Sequence, residues 1–111
     1  MQTLKSYNKI ETVFEKGFFI KEGDFLLKAY DFNDEEILFG VSVSKRFFKS
    51  AVTRNRLKRR MRESVRKNQR INEIKKGTSF FLIYNTSKEH SFQDINKKVC
   101  TLVDNLISKS N

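Results

Sequence analysis

One stretch, residues 37–68, joins a strand pattern to a basic amphipathic helix and reads ILFGVSVSKRFFKSAVTRNRLKRRMRESVRKN. Its first seven residues are apolar or small, which is typical of a strand. After Ser50 or Thr53, either of which can cap a helix, a three- and four-residue apolar spacing continues to about Asn68. One narrow face of that helix carries Leu57, Met61, Ser64, Val65 and Asn68. The stretch therefore predicts a strand followed by a helix that packs on a core along a single stripe.

The remainder of this helix is densely basic. Of the chain's 23 Lys and Arg residues, 12 lie between Lys45 and Arg70, against a single acid, Glu63. Like charges at this density repel one another, and they become favourable when a polyanion displaces their counterions. Arginine binds phosphate with two hydrogen bonds and stacks on bases, so an arginine-rich face suits RNA. A charged face is most often merely solvated, but this density of one sign predicts a nucleic-acid partner.

Bulk composition limits the class of protein. A chain of 111 residues is enough for one domain with one core, so we expect a single RNA-binding domain over residues 1–111. Its 11 Phe residues and 38% hydrophobic content are unlike a disordered tail, and its net charge is +10. The lone Cys100 excludes an internal disulfide or a cysteine-based zinc site. The absence of a long apolar run or a signal-peptide pattern leads us to expect a cytoplasmic protein with no membrane association.

The other patterns predict helices and strands outside residues 37–68. These are a helix over 6–16 closed by Gly17, a short extended piece over 18–21, a strand over 25–32, a polar turn over 33–36, a strand over 79–84 buried on both faces, and an amphipathic helix over 91–108 with a capping box of Ser91 and Asp94. We expect the strands over 25–32 and 37–43 to form a hairpin. The predicted class is α+β, a single small α/β sandwich in which helices pack on an approximately four-stranded sheet. Its elements follow the order α, β, β, α, β, α with one further small strand.

The segment AVTRNRLKR over residues 51–59, followed by Arg62 and Glu63, resembles the signature of the bacterial ribonuclease P protein component. That family has Arg-Asn-Arg-x-Lys-Arg with Ala-Val just upstream, after a strand similar to GVSVSK over residues 40–45. Length, basicity and element order agree over nearly the whole chain. The resemblance implies the protein subunit of a ribonucleoprotein that removes the 5′ leader of precursor tRNA. It also implies a rare left-handed crossover between strands 37–43 and 79–84, where a right-handed one would otherwise be expected.

Two sets of site residues follow from this resemblance. The positions expected to bind ribonuclease P RNA are Lys45, Arg46, Arg54, Asn55, Arg56, Lys58, Arg59, Arg62 and Arg66. Asn55 has the alternative of bonding the backbone near the helix start. The positions expected to line a cleft for the single-stranded leader are Ile10, Phe14, Phe18 and Lys28.

The leader positions have a competing interpretation, since Tyr7, Ile10 and Phe14 recur at helical spacing and such residues often pack in a core. Ile10 and Lys28 also depart from the family, which has aromatic residues there, so Phe14 is the strongest candidate. Residues 47–50, Phe-Phe-Lys-Ser, replace a glycine that the family often has before the helix.

No catalytic or metal-binding constellation is visible in the sequence, and His90 has no partner at ligand spacing. The resemblance implies that the RNA subunit catalyses cleavage, with Mg²⁺ bound mainly by that RNA and the substrate. It also leads us to expect one protein monomer per ribonucleoprotein.

Three alternative functions remain in order of preference. The first is a structural, ribosomal-type RNA-binding protein, and the second is a DNA-binding module with the basic helix in the major groove. The third is a self-sufficient nuclease, which the missing acid–base cluster disfavours.

Overall fold

The computed structural model describes residues 2–110, and the side chains of residues 3–109. In chain order its elements are β1 (Gln2–Thr3), α1 (Tyr7–Lys16), β2 (Phe18–Glu22), β3 (Phe25–Asp31), β4 (Leu38–Val43), α2 (Ala51–Lys67), a short 3₁₀ helix (Ile71–Glu73), β5 (Thr78–Tyr84) and α3 (Phe92–Ser110). The predicted α+β class and the three predicted helices are confirmed, and the two-residue β1 is an addition that the sequence patterns did not indicate.

The strands form one mixed sheet in the spatial order β1-β4-β5-β3-β2. β4 and β5 are parallel, whereas β3 is antiparallel to both β5 and β2. The expected hairpin between residues 25–32 and 37–43 is therefore wrong, because β5 lies between β3 and β4. The nearly all-apolar β5 is buried on both faces in this central position. The hairpin that forms instead joins β2 to β3 through a two-residue turn, in which Gly23 has a φ of 57°.

α2 and α3 cover one side of the sheet, which we call the α2–α3 face. The stripe predicted on α2 is buried there, and Leu57, Met61 and Val65 are fully inaccessible to solvent. They pack with Val99, Leu102 and other α3 residues against β3, β4 and β5. The buried Ser64 satisfies its hydroxyl by donating to Asn96 Oδ1 at 2.7 Å. This packing fixes which side of α2 points to solvent.

α1 packs on the opposite side of the sheet, which we call the α1 face. The helix begins after Ser6, whose Oγ accepts from the Lys9 backbone N–H at 3.4 Å. It ends at Gly17, where a Cβ would lie 2.4 Å from the Val13 carbonyl oxygen, so no larger residue fits. Val13 makes a second small core with Leu4 and Leu38. α1 therefore covers only part of this face.

The parallel pairing of β4 and β5 requires a crossover through α2. Its left-handed sense stays a prediction. Among residues 2–110 there is no helix with the length and apolar character needed to span a membrane.

Candidate nucleic-acid interface

The loop before α2 is held by a side chain from the helix itself. Ser50 caps α2 by accepting from the Thr53 backbone N–H. The Arg54 guanidinium donates to the carbonyl oxygens of Phe48 at 2.8 Å and Lys49 at 2.9 Å. The sequence predicts that Arg54 binds RNA. Because two of its hydrogen-bond donors already bind the loop, fewer N–H groups are available for a phosphate.

The solvent side of α2 carries several cations that have no protein partner among the described residues. At spacings of four, three and four residues, Asn55, Arg59, Arg62 and Arg66 share one face opposite Leu57. Within the described part of the chain, Lys58, Arg62 and Arg66 make no ion pair or side-chain hydrogen bond. Arg59 has only a long-range electrostatic interaction with Glu63. Asn55 is exposed, and among the described residues its side chain makes no backbone contact of the kind that its sequence position allowed. We call these five residues the outer face of α2.

Glu63 does not neutralise this outer face. Its carboxylate pairs with Lys67 at 2.8 Å, and the hydrogen bond from Lys67 lowers the pKa of Glu63. The one acid in the basic segment is therefore matched by its own lysine one turn away.

Two arginines on one flank of α2 contact the loop that follows β5. Arg56 forms an ion pair with Glu89, and Arg60 donates to the carbonyl oxygen of His90 at 2.8 Å. Arg56 is thus already engaged by a carboxylate, which a phosphate would have to displace or share. Arg60 was not among the predicted residues, since its partner is a backbone atom 30 residues away that no sequence pattern indicates.

Lys45 and Arg46 lie in the turn that directly follows β4. Ser44 shapes this turn, because its Oγ accepts from the Arg46 backbone N–H at 3.1 Å. Both basic side chains are exposed, and the Arg46 guanidinium lies 5.5 Å from the centroid of the Phe47 ring. These two cations therefore stand between the end of β4 and the start of α2.

The uncovered part of the α1 face contains an aromatic site. The Phe14 ring from α1 lies 5.1 Å from the ring of Phe81 on β5, measured between centroids. Lys28 donates to the Phe14 carbonyl oxygen at 3.0 Å, and its Nζ is 5.5 Å from the centre of the Phe14 ring. Ile10 is half-buried beside them and packs with the Val13 core. We call the site made by Ile10, Phe14, Lys28 and Phe81 the α1 cleft.

Phe81 and the glycine beneath it were missed by sequence reasoning. Gly40 lies opposite Phe81 in the β4–β5 register, and a Cβ there would lie 2.5 Å from the tip of the Phe81 ring. The glycine therefore allows the ring to lie flat across β4. The all-apolar run of β5 conceals Phe81, because such a strand does not reveal which side chains point into a site.

Phe18 does not belong to the α1 cleft, which corrects the sequence prediction. It lies opposite Ala29, whose side chain is part of the α2–α3 core, and successive strand residues point to opposite faces. Its ring packs against that core, with Lys109 Nζ 5.2 Å from its centroid. The neighbouring Phe19 points to the α1 face instead.

The described residues contain no group of three or more His, Cys, Asp and Glu side chains that could hold a metal ion. His90 is largely buried and packs against the rings of Phe25 and Tyr84 at centroid distances of 5.8 and 6.0 Å. The chain thus presents a cationic helix on one side of a sheet and an aromatic cleft on the other.

Three comparisons place the chain among known proteins. A family model described as Ribonuclease P matches residues 1–107. The ribonuclease P protein component of Staphylococcus haemolyticus is 33% identical over 63 residues, which are 57% of this chain and only 54% of that protein. The match therefore spans about half the length of this curated relative.

Solved structures share the fold at lower identity. The RNase P protein of Staphylococcus aureus is 20% identical with a TM-score of 0.77, over 97% of this chain and 95% of that one. The RNase P protein of Thermotoga maritima is 22% identical with a TM-score of 0.78, over 95% and 97%. With a family model that covers nearly its whole length, the chain belongs to the ribonuclease P protein family.

Proposed function

We propose that this chain is the protein subunit of ribonuclease P, the ribonucleoprotein that removes the 5′ leader of precursor tRNA. The observation that carries the proposal is the outer face of α2, whose four cations form no ion pair or side-chain hydrogen bond within the described residues. Three of them, Lys58, Arg59 and Arg62, lie in the segment that resembles the family signature. Its relative in Staphylococcus haemolyticus carries the name ribonuclease P protein component. In this proposal the protein is a cytoplasmic monomer within the ribonucleoprotein.

The outer face of α2 is the proposed contact with ribonuclease P RNA. Three arginines at the spacing of one helix face can each bind phosphate with two hydrogen bonds and release counterions. Lys45 and Arg46 extend the positive surface past the start of the helix. Arg54 and Arg56 contribute differently, the first by fixing the loop and the second after exchange of Glu89 for phosphate.

The α1 cleft is the proposed site for the leader. An unpaired strand is recognised by flat apolar groups that stack on bases and by cations that meet the backbone. Phe14 and Phe81 supply adjoining rings, and Lys28 supplies a charge beside the Phe14 ring. Contact with the leader favours precursor over mature tRNA, because only the precursor has nucleotides to place there.

Catalysis is assigned to the RNA subunit, and Mg²⁺ to that RNA and the substrate. The role of the protein is electrostatic, since neutralising crowded phosphates lets the RNA adopt its active arrangement at lower Mg²⁺ concentration.

The decisive experiment is precursor-tRNA cleavage by ribonuclease P RNA at low Mg²⁺, with and without the protein. We expect strong stimulation of cleavage at the mature 5′ end, and none by the protein alone. Tight RNA binding without stimulation would instead indicate a structural, ribosomal-type protein. Stronger binding to duplex DNA than to structured RNA at matched salt would indicate a DNA-binding module.

A further inference from the structure

We propose that Phe19 is a stacking platform for an unpaired RNA nucleotide, and that it extends the α1 cleft to the β2 edge of the sheet. The inference rests on the proposed function and adds to it a specific subsite for leader nucleotides far from the cleavage point.

The exposure of Phe19 is the first observation. Its side chain is 61% exposed, and only Tyr7 and Val52 are comparably exposed among the large hydrophobic residues that the structure describes. Its neighbours in sequence, Phe18 and Ile20, both pack against the α2–α3 core. Phe19 itself gains no such burial, so the fold leaves one complete aromatic ring available to a partner.

The register places this ring in line with the α1 cleft. Phe19 lies opposite Lys28, Lys28 opposite Phe81, and Phe81 opposite Gly40. These four positions form a row across β2, β3, β5 and β4 on the α1 face. Three interstrand spacings separate its ends, or roughly 14 Å. An extended strand that stacks on Phe14 and Phe81 and continues across Lys28 therefore reaches Phe19.

The charge around Phe19 identifies the partner. The next row on the same face consists of Lys21, Leu26, Ile83 and Ser42. Together the two rows contain two lysines and no acid, and Glu22 points to the other face. Leu26 and Ile83 are half-buried and lie outside both core clusters. Apolar surface with interspersed ammonium groups fits a polyanion that carries flat bases, and an unpaired RNA strand has that chemistry.

Phe19 also has a distinct relation to leader length. In the proposed arrangement, the cleft residues Phe14 and Phe81 meet the leader nucleotides nearer the cleavage point, and Phe19 at the sheet edge meets those farther from it. A precursor with a very short leader cannot reach Phe19, whereas a longer leader can. Leader length therefore separates the contribution of Phe19 from that of the cleft.

The test measures the affinity of the reconstituted ribonucleoprotein for precursor tRNAs whose leaders grow from one nucleotide to about eight. We expect Phe19→Ala to weaken binding of long-leader precursors by about fivefold to tenfold and to leave short-leader binding unchanged. Phe19→Tyr keeps the ring and should restore the wild-type dependence on length. Tyr7→Ala is the matched control, since it removes an aromatic side chain of similar exposure at the far end of α1.

Four outcomes would overturn the inference. Phe19→Ala with the wild-type length dependence would show that the ring touches no nucleotide. An equal loss for precursor and mature tRNA would assign Phe19 to assembly, and an equal loss in Tyr7→Ala would indicate a nonspecific effect of aromatic removal. If the wild type shows no dependence on leader at all, the proposed leader function of the cleft fails as well.

Discussion

The arginines of α2 are alike in sequence but differ in environment. Arg54 and Arg60 donate to backbone carbonyls, Arg56 pairs with Glu89, and Arg62 and Arg66 have no protein partner within the described residues. Helical spacing predicted which side of α2 is buried. It could not predict which arginines the surrounding loops engage, because those contacts join residues up to 33 positions apart.

This difference predicts opposite effects of two substitutions that each remove one positive charge. The first should lower stability, and the second should lower the salt dependence of RNA binding. Arg54→Ala should lower the free energy of unfolding by about 1–3 kcal/mol, since the partly buried Phe48 carbonyl oxygen and the exposed Lys49 carbonyl oxygen lose a charged donor. Arg62→Ala should leave stability within about 0.5 kcal/mol and reduce the salt dependence of RNA binding by about one ion. Denaturant unfolding and RNA titrations at several salt concentrations measure both quantities.

Arg54→Lys serves as a control, because a lysine keeps the charge but its side chain ends one atom short of the Arg54 Nη1 nitrogen, which makes both carbonyl contacts. Its stability should resemble that of Arg54→Ala, while more of the RNA affinity survives. If Arg54→Ala proved as stable as the wild type and lost salt dependence as Arg62→Ala does, Arg54 would be a direct phosphate contact.

Phe18 and Phe19 show where single-residue prediction ends. In the run Phe18-Phe19-Ile20 every residue is apolar, so alternation gives no indication of which side chains face the core. Only the pairing with β3 determines which of these side chains face the core. It directs Phe18 toward the α2–α3 core and Phe19 toward the α1 face. By contrast, Phe14 and Lys28 were expected to share a cleft because of the family resemblance, and the structure brings them together, since Lys28 donates to the Phe14 carbonyl oxygen.

At the scale of elements, the helices were predictable and the strand order was not. Each helix carries its own signals, such as Ser50 and Ser91 at the caps and an apolar stripe, and these are local. Strand pairing instead depends on which strands gain most from central positions. β5 takes the centre because it is apolar on both faces, and it thereby separates β3 from β4, which are neighbours in sequence.

The close approach of β4 to Phe81 makes Gly40 a sensitive position in the sheet. In Gly40→Ala the new Cβ would lie within 2.9 Å of three ring atoms of Phe81, so the ring must turn away from its place beside Phe14. We expect a loss of about 1–3 kcal/mol in stability from overpacking. We also expect a smaller preference for precursor over mature tRNA, with RNA assembly unchanged.

Binding of both tRNA forms to the reconstituted ribonucleoprotein measures this preference. Ser42→Ala, on the same strand and face, is a control that leaves the Phe81 ring in place and should keep the preference. An undiminished preference in Gly40→Ala, with the protein folded, would show that the position of the Phe81 ring does not matter to the leader.

For the whole molecule, the sheet separates the two proposed surfaces. The outer face of α2 lies beyond the α2–α3 core, and the α1 cleft lies on the other side of β4 and β5. Among the described residues, no ion pair, hydrogen bond or ring contact joins a residue of the outer face to a cleft residue. The net charge of +10 acts at long range on any RNA, but the short-range contacts of the two surfaces are distinct.

Distinct surfaces predict additive effects. Arg62→Ala should weaken assembly with ribonuclease P RNA and so lower the apparent affinity for precursor tRNA. Phe14→Ala should weaken the binding of precursor tRNA more than that of mature tRNA. In the double variant, the two losses in precursor affinity should multiply to within about twofold, since separated sites add in free energy to about 0.5 kcal/mol. Titrations of wild type, both single variants and the double variant at one salt concentration complete the cycle.

A loss in the double variant that fell well short of the product would mean that one RNA strand engages both faces together. In that case α2 and the α1 cleft would form one continuous interface around the β4 edge.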